Sequence, residues 1–164
     1  MKINKEKDNL KDNVKIVDGA GYMPQVKELI EEYTRRLGRD LSFQDLEEEL
    51  RDPAGKYTPP QGELLVALQG EDVIGMVAYH RHSSTRCEMK RLYVKPAARG
   101  LHLGETLVRA IISHAKSAGY EEMVLDTIAP LESAIHLYEK CGFTACRPYY
   151  ENPMEDVLYF HRSL

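Results

Sequence analysis

The period of the apolar positions changes several times along this chain, and each change marks an element. Val14, Ile16 and Val17 form a short extended run that Asp18-Gly19 ends, which predicts a first strand. Val26, Leu29, Ile30, Tyr33 and Leu37 then recur at helical spacing until Gly38 stops them. A second helix is predicted from Ser42, with Asp45 completing a short-armed capping box and Phe43, Leu46 and Leu50 forming the apolar face. Residues 52–62, DPAGKYTPPQG, read as a loop. Residues 64–68 and 73–81 flank a Gln69-Gly70-Glu71-Asp72 turn as a hairpin, and CEMKRLYV at 87–94 is a further extended piece. Leu103, Leu107, Ala110, Ile111, Ala115 and Ala118 make a helical stripe ending at Gly119. Residues 123–127 read as a strand, 131–141 as a helix closed by Gly142, and 143–146 and 157–161 as two last strands around PYYENP.

The resulting order, β-α-α-β-β-β-α-β-α-β-β, has a run of antiparallel strands followed by two helical crossovers. It predicts an α/β fold with a central mixed, mostly antiparallel twisted sheet flanked by helices. The chain of 164 residues suits one domain, at 14–164, with the charged residues 1–13 as a flexible leader.

Charge and cysteine usage narrow the function classes. A net charge of −4 with interspersed signs argues against a general nucleic-acid binder, which shows a basic excess. Three cysteines, Cys87, Cys141 and Cys146, form neither a disulfide framework nor a metal finger, which suits a reducing cytoplasm. The polar first residues lack the apolar core of a signal peptide, and no stretch is long enough to span a bilayer, so no membrane partner is expected. His80 and His82 share a strand face but lack a third ligand, so no metal site is expected.

The segment RGLHLG, 99–104, lies between an extended piece and a helix. Unpaired amides at a helix start bind phosphate oxygens, and Arg99 adds a guanidinium. The chain lacks G-x-x-x-x-G-K-[ST], which excludes a P-loop, and lacks an early G-x-G-x-x-G for a dinucleotide.

Three stretches carry a resemblance: Leu92-Tyr93-Val94, then Arg99-Gly100-Leu101-His102-Leu103-Gly104, then AIHLYEKCGF at 134–143. The chain, from about residue 14 to its end, resembles the GCN5-related N-acetyltransferase (GNAT) family. The family writes its loop Q/R-x-x-G-x-G/A and its later helix A-x-x-L-Y-x-x-x-G-F. The resemblance implies acetyl-CoA as co-substrate. The amides of Arg99, Gly100, Leu101, His102, Leu103, Gly104 and Glu105 would cradle its pyrophosphate, and the backbone of Leu92, Tyr93 and Val94 would pair with its pantetheine arm. It also implies Tyr138 as the acid near the CoA sulfur and Glu88 as the candidate base. The alternative reading of Tyr138 is a core tyrosine, and that of Glu88 an ion pair with Arg86, Lys90 or Arg91. The acceptor would be a primary amine of a small molecule, or alternatively of a protein. A non-catalytic acyl-CoA-binding module is the rival from another class. A homodimer is a family-level expectation.

Tyr149 and Tyr150, in a proline-flanked turn, are candidates for the acceptor pocket together with Tyr33. Asp126 reads as a structural hydrogen-bonding residue, and Cys141 as buried. Two departures from the family stand out. Thr127-Ile128-Ala129-Pro130-Leu131 lacks the common asparagine, and His102 replaces the first loop glycine. Amide donors need no glycine, so His102 is expected in an ordinary right-handed conformation with its ring directed away from the cradle.

Overall fold

The computed structural model of the protein describes residues 13–41 and 45–164. Among these the elements run β1 (Val14–Asp18), α1 (Met23–Leu37), α2 (Leu46–Arg51), α3 (Pro53–Lys56), β2 (Gly62–Gln69), β3 (Asp72–Arg81) and β4 (Arg86–Val94). They continue with α4 (Leu103–Ser117), β5 (Glu122–Ile128), α5 (Glu132–Lys140), β6 (Thr144–Ala145) and β7 (Val157–Ser163). The sheet order is β1-β2-β3-β4-β5-β7-β6, with β4 and β5 parallel and the other neighbours antiparallel. The mixed, mostly antiparallel sheet expected from the sequence is the one observed.

Helix α1 buries Val26, Leu29 and Ile30 on one face of the sheet, against Leu64, Val66 and Met76. It ends at Gly38, whose φ of 65° and amide bond to Thr34 close it in the left-handed conformation glycine favours. Helices α4 and α5 cover the other face, where Leu107, Ile111 and Ala115 pack with Val77, Met89 and Phe143. The α4 stripe is wider than the periodicity suggests, because Val108 and Ile112 are buried as well. Truncating Leu107, which is fully buried, would cost about 2–5 kcal/mol.

One expected loop is partly helical. Pro53 presets φ for a first helical position, and the Tyr57 amide reaches the Pro53 carbonyl at 3.0 Å, so α3 forms inside DPAGKYTPPQG. The expected cap at Ser42 with Phe43, and residues 1–12 of the expected leader, lie outside the described residues.

Strand β4 carries the main irregularity. Tyr93 pairs with Met76 and Lys90 with Ala78, so three steps on β4 oppose two on β3. The additional residue makes a bulge at Arg91, whose φ is 59°. A left-handed non-glycine residue costs about 1–2 kcal/mol, so something must hold it. The Arg91 guanidinium is buried and grips Glu49 of α2 with two bonds, Nε to Oε2 at 2.7 Å and Nη2 to Oε1 at 3.2 Å. Tyr57 donates its hydroxyl to Glu49 at 2.6 Å and Lys56 adds its ammonium at 3.2 Å, so α2 and α3 are fastened to the sheet through one carboxylate. Burial opposes the Glu49 charge, but Arg91, Tyr57 and Lys56 outweigh it and pull its pKa from 4.5 down to about 2.

Beside the bulge, β4 and β5 pair at three positions, Arg86–Glu122, Cys87–Met123 and Glu88–Val124. Beyond Glu88 the two strands diverge, so β4 runs on without a β5 partner along 89–94.

Glu49→Gln should lower stability by about 3–5 kcal/mol at pH 7 in urea unfolding, because it leaves Arg91 buried without a counter-charge. The native carboxylate has a depressed pKa, so its contribution is present above pH 4.5 and is lost as pH falls toward 2. The variant should therefore show a shallower loss of stability than wild type across that window.

Candidate functional site

The divergence of β4 and β5 opens a cleft at the carboxyl ends of the two parallel strands. This is where open α/β sheets place ligands. Its β4 wall holds Met89, Lys90, Arg91 and Leu92, and its β5 wall holds Leu125, Asp126, Thr127 and Ile128. Helix α5 closes one side with Ala134 and Tyr138, and α1 closes the other with Tyr33 and Leu37.

Tyr138 is buried, and its ring meets Phe143 edge-on at 6.1 Å. Burial raises its pKa, helped by Tyr33 and Asp126, so the hydroxyl keeps its proton at neutral pH. Asp126 faces it across the same cleft. Burial raises the Asp126 pKa above 3.8; Tyr150 opposes that rise and Glu88 adds to it. Tyr150 donates its hydroxyl to Asp126 Oδ2, and Asn152 Nδ2 reaches the same oxygen at 3.3 Å.

Glu88 sits at the last paired position before the strands part. It is buried, and both oxygens are engaged: Oε2 accepts the Tyr149 hydroxyl at 2.5 Å, and Oε1 lies 3.4 Å from the Lys90 ammonium. The cleft-lining carboxylate is Asp126 rather than Glu88. The adjacent tyrosines of PYYENP thus each hold one carboxylate, on neighbouring strands. Their rings pack with Tyr159 at 5.4 and 5.8 Å. Tyr33 lines the cleft with Arg91 stacked over its ring at 5.9 Å. Leu92 lines the cleft; Tyr93 points to the α1 face, where its ring meets Tyr33 at 5.8 Å, and Val94 packs against the α4 face.

The RGLHLG segment leads from β4 into α4. Gly100 takes a φ of 90°, and Leu101 tucks into the core. The first helical amide with an acceptor is Thr106, bonding the His102 carbonyl at 3.2 Å. The amides of Leu103, Gly104 and Glu105 precede it, as helix starts require. A Cβ on Gly104 would lie 3.1 Å from Leu137, so this glycine serves the approach of α4 to α5. Glu105 turns outward to Lys140 at 2.9 Å and Arg109 at 3.1 Å, which lower its pKa.

His102 corrects the sequence reading. It takes φ 58° and ψ 26°, the left-handed conformation a family glycine would occupy, and not a right-handed one. The chain must reverse here to start α4, and histidine is among the non-glycine residues enriched in that region. Its side chain is exposed.

Sequence reasoning put Asp126 near the crevice but read it as structural, and it did not single out Lys90 or the Glu49–Arg91 pair as parts of the cleft. The signal for Asp126 was its place at the carboxyl end of a parallel strand. Glu49, inside an EEE run, carries no such signal. Among the described residues no cluster suits a metal ion and no helix is long and apolar enough to cross a membrane.

Comparison with known proteins bears on family and fold. The family model described as "Acetyltransferase (GNAT) family" matches residues 23–143. An uncharacterized N-acetyltransferase of Schizosaccharomyces pombe is 46% identical over 140 residues, 84% of this chain and 86% of that protein. An acetyltransferase structure from Streptococcus agalactiae superposes with a TM-score of 0.77 at 22% identity, covering 93% of this chain and 99% of that one. The Campylobacter jejuni N-acetyltransferase PseH in complex with acetyl coenzyme A gives 0.61 at 21% identity, covering 92% and 98%.

His102→Gly should relieve the left-handed cost, offset in part by the greater freedom glycine gains in the unfolded chain. A net stabilisation of up to about 1 kcal/mol is expected, read as a higher Tm. A lowered Tm would mean that the imidazole itself holds the turn.

Proposed function

The chain belongs to the acetyltransferase (GNAT) family, and from that premise we propose that it transfers acetyl from acetyl-CoA directly to the primary amine of a small molecule, through the cleft between β4 and β5. The observation that carries this reading is one cleft holding a buried tyrosine, a half-buried carboxylate and an unpaired strand edge. Acetyl-CoA would supply an activated thioester acyl group. The edge of β4 along 92–94 suits an extended amide-bearing arm, which would bond to it as an added strand. The amides of Gly100, Leu101, His102, Leu103, Gly104 and Glu105 and the Arg99 guanidinium suit a pyrophosphate, aided by the positive end of α4, whereas the Arg99 amide is already bonded to the Pro96 carbonyl at 3.3 Å.

Within this reading each residue has a separate task. An alkylamine titrates near about 10.4, so it arrives charged and must lose a proton. Asp126 takes that proton; its raised pKa makes it a better base than an exposed aspartate. Tyr138 donates its proton to the leaving sulfur, and burial keeps that proton in place beforehand. Backbone amides near Leu92 and Tyr93 polarise the acyl oxygen. Glu88, the base candidate by family resemblance, becomes a positioning residue that fixes Lys90 and Tyr149, because both its oxygens are already engaged. Tyr150 positions Asp126.

A titration of acetyl-CoA by calorimetry, followed by thiol release across an amine panel, tests the reading. No acetyl-CoA binding at millimolar ligand would overturn it. Tyr138→Phe should lower kcat by about 10²-fold or more with acetyl-CoA affinity unchanged. Asp126 must be ionised to act, so activity should fall as pH drops through its raised pKa. Tyr150→Phe removes a bond that favours the carboxylate, so that acidic limb should move to higher pH in a kcat/KM profile.

A further inference from the structure

We propose that the acceptor is an α-amino acid with an apolar side chain, its carboxylate held by Lys90 beside the Arg91 charge and its ammonium by Asp126. The inference rests on the acetyl-transfer reading and adds the acceptor's chemical class.

The charges of the cleft are divided between its walls. Three cations on the β4 side, Lys56, Lys90 and Arg91, share two carboxylates, Glu49 and Glu88. That wall carries an uncompensated positive charge. His80, opposite Glu88 on β3, adds none, because burial and the charges of Lys56 and Lys90 lower its pKa. Facing it on β5, Asp126 has the uncharged Tyr150 and Asn152 as side-chain hydrogen-bond partners and senses Lys90 across the cleft. Tyr33 is close enough to sense both Arg91 and Asp126, so the two signs converge on one part of the cleft.

Each acceptor class meets this arrangement differently. A simple monoamine satisfies Asp126 and leaves the β4 charge without an anion. A diamine or polyamine brings its second ammonium against Lys90 and Arg91. A protein lysine carries no carboxylate near its amine. An α-amino acid bears both charges on one carbon, in the sense the walls require. Arg91 spends Nε and Nη2 on Glu49 and lies beside the Tyr33 and Tyr57 hydroxyls, so it lends its charge to the wall, and the Lys90 ammonium is the group that meets the carboxylate. Leu37, Leu41 and Met154 line the same cleft and give the side chain an apolar wall.

The transfer balances with these groups alone. The N–C bond forms as the C–S bond breaks. Of the two protons the ammonium nitrogen loses, one leaves through Asp126 to solvent and one ends on the CoA sulfur by way of Tyr138.

The test compares kcat/KM for apolar amino acids with that of their decarboxylated amines, for example leucine with isopentylamine and phenylalanine with phenethylamine. Spermidine and a lysine peptide are added, and acetyl-CoA binding is followed by calorimetry. The amino acid should exceed its amine by tenfold or more. Lys90→Met should raise KM for the amino acid about tenfold more than it raises KM for the amine. Turnover of the amine, spermidine or the peptide equal to or better than the amino acid overturns the inference and leaves acetyl transfer standing. Acetyl-CoA binding with no turnover of any amino acid overturns it as well. Absence of both acetyl-CoA binding and thiol release overturns the transfer reading itself.

Discussion

The cleft depends on one strained residue and the ion pair that holds it. Arg91 adopts a left-handed backbone in the middle of a strand, and the resulting bulge falls where β4 and β5 separate. A buried arginine is held by a buried glutamate from α2, so the strand irregularity and the placement of the helical layer are one event. Such a pair contributes little net stability relative to an apolar substitute, yet breaking it is costly. Its value lies in fixing geometry. The bulge lets Arg91 reach Glu49 of α2 while it lines the cleft beside Leu92, and β4 has no β5 partner along 89–94.

In the proposed reaction that single irregularity serves two different kinds of recognition. Along β4, the open edge offers backbone donors and acceptors to an extended arm, and the chain then turns through Gly100 and His102 into the positive end of α4. Across the cleft, β5 brings Asp126 opposite Lys90 and Arg91. The paired tyrosines of PYYENP reinforce this by fastening one carboxylate on each strand, which holds both strands at the point where they stop bonding to each other. A turn distant in sequence thereby sets the orientation of charged groups on two strands.

The regular elements were legible because burial imposes their period. The stripe from Val26 to Leu37, the hairpin around Gly70 and the α4 stripe each repeat at the spacing their element needs. The loop and the Tyr138 helix were legible as motifs; the helix lines the cleft, and the loop leads from β4 into α4. What the sequence concealed were departures from regularity. Strand alternation cannot reveal a bulge, so the direction of Glu88 relative to Asp126 stayed open. Glu49 sits among other glutamates and looks solvated, because only the tertiary fold brings Arg91 to it. His102 was misread because a residue other than glycine was taken to rule out a positive φ. The histidine itself was a usable signal, since it tolerates positive φ better than most side chains.

The central claim is that the unpaired edge of β4 and the turn into α4 form one continuous surface for acetyl-CoA. Amide hydrogen exchange with and without acetyl-CoA measures this most directly, because it reads backbone donors and not turnover. The account predicts slowed exchange at residues 92–94 and 100–105 together on adding acetyl-CoA, with the β1–β2 region unchanged. Protection absent from both segments, or confined to other parts of the chain, would contradict it.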